Sequence, residues 1–274
     1  MKGNRRVRWI AKILGSIGRP IGLSQIPSVQ KFYLKLAGYA LPDKDVWVKV
    51  QNQSMLLPNP RRNVLGRMIY LYGEWEKPVT QTLREEVRPG MTVLDIGAHV
   101  GYYSLLMAGR VGKGGRVFAF EPNPAVRKYL ERNVERNGCF QVTICPFALF
   151  GTKGSATLQG RDNLNVSLVP QLTPVEGAVR MEVFDRVRMS LGIDKVDLLK
   201  MDVEGAEMDI LLGMREMLER DHPTLIIEVH TDLLIQFGHS EFELREYAGS
   251  FGYTVKNIWS QVGATMILCK QEGC

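Results

Sequence analysis

Cysteine is scarce in this sequence, and long apolar runs are missing from it. The four cysteines among its 274 residues form neither a CxxC pair nor a regular framework; they are Cys139, Cys145, Cys269 and Cys274. A disulfide-stabilised scaffold is therefore not indicated, and we expect reduced thiols in a cytoplasmic protein. No apolar stretch approaches the roughly 18 residues that cross a bilayer, so no membrane-spanning helix is predicted.

Acidic residues are missing before Asp43, although eight of the 35 Lys and Arg residues lie there. The formal net charge of +6 belongs to this segment, because the remainder holds 27 basic residues against 29 acidic ones. A slightly acidic body argues against a nucleic-acid partner. Apolar residues at helical spacing between Val7 and Ile17 predict a basic amphipathic helix, not a signal peptide, since Lys12 and Arg19 interrupt the apolar stretch. We expect residues 1–42 to contact an anionic membrane, the body of the protein or a second subunit.

Short apolar runs alternate with helical patterns from Pro78 onward. The runs predict seven strands, at Thr92–Ile96, Arg116–Phe120, Gln141–Cys145, Val196–Met201, Thr224–Val229, Tyr253–Ile258 and Ala264–Leu268. Helices between them, including one predicted over Ala206–Leu218, indicate a doubly wound, mainly parallel α/β sheet whose last two strands are antiparallel neighbours. We therefore expect an α/β domain at 78–274, with an inserted hairpin and loop at 147–180. Residues 1–77 are predicted to form an N-terminal extension, in which an extended piece at Val46–Val50 follows the basic helical segment.

Two nucleotide-binding motifs are absent, the G-x-G-x-x-G of dinucleotide folds and the lysine of a P-loop. The first strand instead ends in a D-x-G-x-x-x-G loop formed by Asp95, Gly97 and Gly101. The second strand ends at Glu121, about 20 residues further on, where a carboxylate can bind ribose hydroxyls. Either feature alone could be structural, as a tight turn or as an acid at a helix start. Together they favour a nucleoside ligand without a pyrophosphate, and S-adenosylmethionine fits that description.

Carboxylates are concentrated after the fourth and fifth predicted strands. Asp202 ends the fourth strand and Glu204 follows it, in the sequence DLLKMDVEGAE. Glu228 and His230 lie on one side of the end of the fifth strand, because side chains alternate along a strand. We expect these four residues to be catalytic, since a histidine beside carboxylates has a pKa suited to proton removal near neutral pH.

The same strand ends permit a second interpretation, a metal site. Asp202 and Glu228 would then supply oxygen ligands to Mg²⁺, which prefers such ligands. Two further charged residues of this region, Lys200 and Glu207, are compatible with either a functional or a structural role.

Four segments carry the most specific pattern: VLDIGAHVGYYS (93–104), FAFEPNP (118–124), DLLKMDVEGAE (197–207) and TLIIEVH (224–230). They resemble the FkbM family of S-adenosylmethionine-dependent methyltransferases. The resemblance extends from Glu76 to His230, and it departs from the family's usual glycine loop at His99, where that loop has asparagine. It implies the seven-stranded class I methyltransferase sheet, Rossmann-like, with helices on both faces and its last strand antiparallel.

The resemblance also implies roles for individual residues. The residues that it places around the cofactor are Glu76, Asp95, Gly97, His99, Gly101, Glu121, Pro122, Ala148 and Asp202. Glu121 would bind the ribose, Ala148 would lie beside the adenine, and Asp202 would face the sulfonium methyl group or an acceptor hydroxyl.

Family members methylate hydroxyl groups of sugars, polyketides and related natural products, which makes O-methylation of a small molecule the leading expectation. Such a reaction needs the acceptor oxygen, the methyl carbon and the sulfur in line. It also needs a base or a metal, because an alcohol is a poor nucleophile until it loses its proton. We expect His230 or Asp202 to be the base. The alternatives are an NAD-dependent oxidoreductase and a non-catalytic nucleoside-binding module on the same scaffold.

Overall fold

The computed structural model describes residues 41–160, 166–171 and 175–271. The chain divides into two compact units, the first ending at Glu76 and the second beginning at Lys77. The amphipathic helix predicted between Val7 and Ile17 falls outside the described residues. Within the described ranges, no helix combines the length and the apolarity that crossing a membrane requires.

A β-hairpin and a helix make up the described part of the first unit. Strand β1 (Val46–Val50), which is the extended piece predicted from the sequence, pairs antiparallel with β2 (Gln53–Leu57). Helix α1 (Val64–Tyr72) begins after Asn63, whose side chain accepts a 2.7 Å hydrogen bond from the Gly66 N–H. This contact satisfies one of the N–H groups that every helix start leaves without a helical partner.

The second unit alternates helices and strands from its first residue. Its opening elements are α2 (Lys77–Glu86), β3 (Thr92–Ile96), α3 (Tyr102–Val111), β4 (Arg116–Phe120), α4 (Pro124–Arg136) and β5 (Val142–Cys145). Helix α4 begins with a proline, which fits there because the first helical N–H has no partner in any helix. The Asn123 side chain caps the same helix by accepting a 2.9 Å hydrogen bond from the Ala125 N–H.

A smaller four-stranded sheet interrupts this alternation. Its strands are β6 (Ala148–Leu149), β7 (Gly154–Gly160), β8 (Val166–Gln171) and β9 (Val179–Glu182), in the order β6-β9-β7-β8. Strands β7 and β8 form the antiparallel hairpin expected in this region. The pairing of β6 with β9 was not expected, because its partners, such as Ala148 and Met181, are far apart in the sequence. A short helix, α5 (Phe184–Val187), follows the insertion.

The remaining elements complete the main sheet. They are β10 (Leu198–Met201), α6 (Glu207–Leu212), α7 (Arg215–Asp221), β11 (Thr224–Val229), α8 (Thr231–Leu234), α9 (Glu241–Ser250), β12 (Tyr253–Gln261) and β13 (Ala264–Gln271). The seven strands have the order β12-β13-β11-β10-β3-β4-β5. Neighbouring strands from β11 to β5 are parallel, whereas β13 is antiparallel to both β11 and β12. This confirms the predicted class I methyltransferase sheet with an antiparallel last strand.

The middle of the main sheet forms the hydrophobic core. Leu94, Phe118, Leu199 and Ile227, one from each central strand, are each 0% exposed. Central strands of a parallel sheet are covered on both faces, so they appear in the sequence as continuous apolar runs. That explains why the bounds of β3, β4 and β11 coincide with those predicted.

The single helix predicted over Ala206–Leu218 is wrong, because the structure divides it into α6 and α7. Gly213 lies so close to the Phe150 carbonyl that a Cβ atom there would stand 2.6 Å from its oxygen. The Asp185 carboxylate then accepts hydrogen bonds from the N–H groups of Glu216 and Met217, at 2.8 and 3.1 Å. These bonds cap the first turn of α7, where the N–H groups have no partner within the helix. In one continuous helix the same N–H groups would be bonded to the preceding turn.

Candidate active site

Most predicted site residues of the second unit lie at or near the carboxyl ends of four neighbouring strands. Strands β11, β10, β3 and β4 are adjacent in this order and parallel, so their carboxyl ends form one edge of the sheet. Gly97, Glu121, Asp202 and His230 each lie just beyond one of these strands. Ligands of doubly wound sheets bind at this edge. The structure therefore brings the main predicted residues to the place where the fold puts its ligand.

The glycine loop is in close contact with the neighbouring strand end. A Cβ atom at Gly97, whose φ is +80°, would clash with the Asp202 carbonyl oxygen. The N–H groups of Gly97 and Ala98 both donate to the Phe120 carbonyl at 3.0 Å. Gly101 has φ +87°, and a Cβ atom there would stand 2.6 Å from a methyl carbon of Leu130. Packing against backbone thus requires glycine at position 97, and the positive φ favours glycine at position 101, in addition to any closeness to a ligand.

Glu121 is held by backbone N–H groups on both carboxylate oxygens. Oε2 accepts from the His99 N–H and Oε1 from the Asn123 N–H, each at 2.8 Å. The residue is 6% exposed. Burial raises the pKa of Glu121 to about 7, although the two N–H groups act in the opposite direction. The carboxylate is therefore fixed in position beside the glycine loop, and its charge changes near neutral pH.

His99 takes part in this contact through its backbone. Its φ of +51° lies in the left-handed region, where asparagine and histidine are among the more common residues after glycine. The asparagine of the family's usual loop and the histidine of this chain therefore meet the same backbone requirement.

Asp95 lies completely buried beneath the loop. The register of β3 and β10 places it opposite Lys200, and the Ser104 hydroxyl donates a hydrogen bond to its Oδ2. Among the described residues, nothing forms a hydrogen bond with Asp95 Oδ1. Burial raises the pKa of Asp95, and the Lys200 charge opposes that effect. Its direct contact with the cofactor stays a prediction.

Lys200 lies in β10, and its side chain is near residues that follow both β3 and β10. It is 1% exposed, and its Nζ lies 4.8 Å from the centre of the Tyr103 ring and 3.3 Å from Asp202 Oδ2. A buried ammonium group is costly unless it is paired, so this lysine belongs to the charge arrangement of the site. The sequence left its role open.

Five side chains meet beyond β10 and β11, and we call them the acidic–histidine cluster: Asp202, Glu204, Glu207, Glu228 and His230. The Nε2 atom of His230 lies 3.8 Å from Asp202 Oδ1, 3.9 Å from Glu228 Oε1 and 4.0 Å from Glu204 Oε2. On the other side of the ring, Nδ1 lies 2.9 Å from Glu207 Oε1. All four predicted catalytic residues are thus brought together, and Glu207 is the member that the sequence left open.

Glu207 is the most buried member of the cluster, at 0% exposure. Its Oε1 also accepts a 3.0 Å hydrogen bond from the Gly205 N–H. The loop before it is sharply turned, because Glu204 and Gly205 have φ values of +57° and +107°. A Cβ atom at Gly205 would stand 2.9 Å from Leu233. This turn leaves Glu204 at the exposed side of the cluster, where 43% of its side chain is accessible.

The carboxylates determine the charge of His230. Burial lowers the pKa of its ring, but the hydrogen bond to Glu207 and the charges of Asp202, Glu207 and Glu228 outweigh burial and raise that pKa to about 9. The expectation of a histidine pKa near neutral is therefore wrong for this arrangement, in which His230 carries a proton at pH 7. The reason is the number of carboxylates that surround one ring.

Two carboxylates of the cluster differ in basicity. Burial alone would raise the pKa of Asp202, but Lys200 and His230 hold it below its usual range. Burial raises the pKa of Glu204, against the effect of His230. Glu204 is therefore the better proton acceptor of the two, and Asp202 the more firmly charged.

Ala148, Pro122 and Glu76 are the three remaining residues that were predicted to contact the cofactor. Ala148 is buried in β6, and the preceding Phe147 ring packs edge-on against Phe120 at 5.7 Å between ring centres. The Pro122 carbonyl accepts a 2.9 Å hydrogen bond from Arg127. Glu76 is the last residue of the first unit, with φ +37°. The cofactor contacts of all three stay predictions.

The strand order, the glycine loop and the buried carboxylate beside it define a methyltransferase domain of the class I, S-adenosylmethionine-dependent type. The chain belongs to the FkbM methyltransferase family, because the family model for the methyltransferase FkbM domain matches residues 95–255, more than half of its length. The match contains the glycine loop, Glu121 and the whole acidic–histidine cluster. Membership decides against the NAD-dependent oxidoreductase considered from the sequence.

Curated relatives agree with this family over part of their length. The hexuronic acid methyltransferase AglP of Haloferax volcanii is 26% identical over 157 residues, 57% of this chain and 62% of that protein. Methyltransferase sdnD of Sordaria araneosa is 29% identical, over 45% of this chain and 60% of that protein. The antimetabolite synthetase AmbE of Pseudomonas aeruginosa is 30% identical, over 52% of this chain and 8% of that protein. The chain thus spans less than two thirds of each of these relatives.

One solved structure with the same family name resembles this chain at lower sequence identity. The methyltransferase FkbM of Methylobacillus flagellatus has 19% sequence identity and a TM-score of 0.47, over 73% of this chain and 52% of that one.

Proposed function

We propose that this protein transfers the methyl group of S-adenosylmethionine to a hydroxyl group of a small molecule. The observation that carries the proposal is the arrangement of one sheet edge. A buried carboxylate suited to ribose, Glu121, lies at the end of β4, and the acidic–histidine cluster lies two and three strands away, at the ends of β10 and β11. A cofactor that extends along this edge from its ribose would bring its methyl group toward the cluster.

The cofactor half needs few specific side chains. The Glu121 carboxylate would accept hydrogen bonds from the ribose hydroxyls, as acids at this position do in related sheets. The closely packed loop from Gly97 to Gly101 would let the backbone approach the amino-acid end. The cofactor's sulfonium carries a positive charge, which the neighbouring carboxylates attract. When bound, the cofactor supplies the electrophilic methyl group.

The cluster would activate the acceptor. His230 is protonated in this arrangement, so the hydroxyl proton passes to a carboxylate, and Glu204 and Asp202 both offer an oxygen within 4.0 Å of His230 Nε2. Glu204 has the raised pKa that a general base needs. Asp202, whose pKa is held low, would then orient the hydroxyl and stabilise the histidinium. This reverses the preference for His230 or Asp202 as the base.

The proposed acceptor is a sugar or a related natural product. A sugar or a related natural product is favoured because one relative, AglP, is named for methylation of a hexuronic acid. An acidic cleft also repels the phosphates of a nucleic acid strand, so we do not propose an RNA or DNA acceptor.

The experiment is a methyl-transfer assay with isotope-labelled S-adenosylmethionine and a panel of free sugars, hexuronic acids and polyketide alcohols. We expect label in an alkali-stable methyl ether, since a hydroxyl is the proposed acceptor. Label in an alkali-labile methyl ester or on nitrogen would contradict it. Binding of S-adenosylmethionine without transfer to any acceptor in the panel would support the non-catalytic module instead. The His230→Ala variant supplies the negative control.

A further inference from the structure

Three side chains of the cluster have the composition and spacing of a metal site. Asp202, Glu228 and His230 each offer one ligand atom, and these atoms all lie within 4.8 Å of one another. The distances from His230 Nε2 to the two carboxylate oxygens are 3.8 and 3.9 Å. A cation with bonds of about 2.1 Å separates neighbouring ligand atoms by about 3 to 3.5 Å, so small side-chain movements would close the three around it.

Glu207 holds the His230 ring in an orientation that suits metal binding. The buried Glu207 Oε1 accepts from Nδ1 at 2.9 Å, which leaves Nε2 directed at the two carboxylates. Metal-binding histidines are characteristically held in this way, with the second ring nitrogen donating to a carboxylate that fixes the tautomer. The ring orientation is thus a second indication, independent of the carboxylates that Nε2 faces.

The two carboxylates are oriented as well. Lys200 contacts Oδ2 of Asp202 at 3.3 Å, while Oδ1 of the same side chain is the atom near His230. The Gln261 side chain donates a 3.2 Å hydrogen bond to Glu228 Oε1. Such supporting contacts on every ligand are typical of metal sites, because they restrict each donor before the ion arrives.

The charge of the cluster favours a cation. Four carboxylates each place an oxygen within 4.0 Å of a His230 ring nitrogen, and Lys200 contacts one of them, Asp202. Like charges at this separation are costly unless positive charge is added. A divalent cation adds two positive charges and displaces the Nε2 proton of His230, because a metal binds the neutral imidazole, so the cluster gains one net positive charge.

We propose that Asp202, Glu228 and His230 bind a divalent cation of the Mg²⁺ or Mn²⁺ kind, with Glu207 as the residue that positions the histidine. Two carboxylates and one neutral imidazole suit these ions, and the imidazole favours Mn²⁺ over Mg²⁺. In the metal-bound state His230 has lost its Nε2 proton, and Asp202 contacts the ion in place of the histidinium. The role of the ion rests on the proposed function: it would lower the pKa of the acceptor hydroxyl. The hydroxyl proton then passes to Glu204, the oxygen bonds to the methyl carbon, and the carbon–sulfur bond breaks, leaving its electron pair on S-adenosylhomocysteine.

The test is binding of Mn²⁺ to the full chain in the absence of acceptor. The protein is treated with a chelator, dialysed and titrated with MnCl₂ while free Mn²⁺ is followed by electron paramagnetic resonance. We expect one saturable ion per chain, with affinity reduced at least about tenfold in each of Asp202→Asn, Glu228→Gln and His230→Ala. Absence of saturable binding by the folded wild-type protein would overturn the proposal, as would wild-type affinity in His230→Ala.

Glu207→Gln tests the positioning role, since it keeps the side chain's size and one acceptor oxygen. We expect Mn²⁺ affinity to fall about 10- to 100-fold, with thermal unfolding and S-adenosylmethionine affinity close to wild type. Unchanged Mn²⁺ affinity would contradict that role.

The matched controls are His239→Ala and Asp209→Asn, a histidine–carboxylate pair at 3.5 Å outside the cluster, which should leave Mn²⁺ affinity unchanged. Loss of affinity in these controls would show that binding does not reside in the cluster.

Two results separate this inference from the proposed function. Methyl transfer that proceeds undiminished in chelator, without Mn²⁺ binding, would remove the metal site and leave the methyltransferase. Specific Mn²⁺ binding without methyl transfer to a hydroxyl would do the reverse.

Discussion

The two halves of the site edge are built differently. At the ends of β3 and β4, glycines and backbone N–H groups determine the geometry, and Glu121 is held by the N–H groups of His99 and Asn123. At the ends of β10 and β11, side chains hold one another, as His230 and Glu207 do. Backbone groups form the first half, so its binding of the cofactor depends little on individual side chains. Side chains form the second half, so single substitutions can change its chemistry. The difference therefore predicts that cofactor binding and acceptor activation respond to different mutations.

The largest effect is expected at Gly97, where the two halves touch. Gly97→Ala would place a Cβ atom against the Asp202 carbonyl and also impose an unfavourable positive φ. We expect the free energy of unfolding to fall by about 3 kcal/mol or more, with loss of both cofactor binding and turnover. Chemical denaturation followed by circular dichroism measures the first quantity.

Gly90→Ala is the matched control for that change. Gly90 has nearly the same φ, +85°, but among the described residues, its two chain neighbours aside, no atom lies within 4 Å of the position that a Cβ would take. It should lose only about 1–2 kcal/mol, which is the cost of the left-handed backbone alone. Equal losses in the two variants would show that the contact between Gly97 and Asp202 does not contribute to the free energy of unfolding.

The second effect should be confined to the cluster half. His230→Ala removes the group that all four carboxylates face, so we expect turnover to fall about 10²- to 10⁴-fold. S-adenosylmethionine affinity, measured by calorimetry, should stay close to wild type. His239→Ala, outside the cluster, should change neither quantity. A large loss of cofactor affinity in His230→Ala would contradict the prediction that the two halves respond to different mutations.

The third effect should be confined to the cofactor half and depends on pH. Because the folded-state pKa of Glu121 is raised to about 7, its carboxyl is mostly protonated at pH 6 and mostly ionised at pH 8. In the proposed ribose contact the ionised form of Glu121 is the hydrogen-bond acceptor, so affinity for S-adenosylmethionine should rise about tenfold as pH rises through this window.

Glu121→Gln is the control for the pH effect. It should bind the cofactor weakly at every pH, with a flat profile, and thereby separate the titration of Glu121 from that of the nearby Asp95, whose pKa is also raised. An equally steep profile in the variant would assign the titration to another group.

The smallest effect is expected at Asp185, which lies outside both halves of the site edge. Asp185→Ala removes the carboxylate that caps α7, through hydrogen bonds of 2.8 and 3.1 Å, and should lower the free energy of unfolding by about 1 kcal/mol. Turnover and cofactor affinity should not change. Asp194→Ala, at an exposed acid in the neighbouring loop, is the control and should cost less. A loss of activity in Asp185→Ala would extend the site beyond the sheet edge.

Most of the main sheet could be predicted from the sequence because its central strands are buried on both faces. Apolar runs between turn residues marked β3, β4 and β11 at their observed bounds. The break between α6 and α7 could not be predicted, because it depends on Asp185 and Phe150, which are distant in the sequence. Local helical pattern continues through Gly213, and only tertiary contacts end the first helix there.

The site residues likewise include some that could be predicted from the sequence and some that could not. The carboxylates at strand ends were predicted because the fold directs strand ends to the ligand. Glu207 was left open, since a glutamate in a first helical turn is also favoured by the helix dipole. Its hydrogen bond to His230 joins residues 23 positions apart and becomes visible only in three dimensions. The pKa of His230 was misjudged for the same reason, because counting its carboxylate neighbours requires the structure.

The most direct measurement is the kinetic comparison of Glu121→Gln with Asp202→Asn in one methyl-transfer assay at pH 8. We expect Glu121→Gln to raise the KM for S-adenosylmethionine at least about tenfold, with kcat within about threefold of wild type. We expect Asp202→Asn to lower kcat at least about 100-fold with little change in that KM. If both variants changed the same parameter by similar factors, the division of this edge into a cofactor half and an acceptor half would be contradicted.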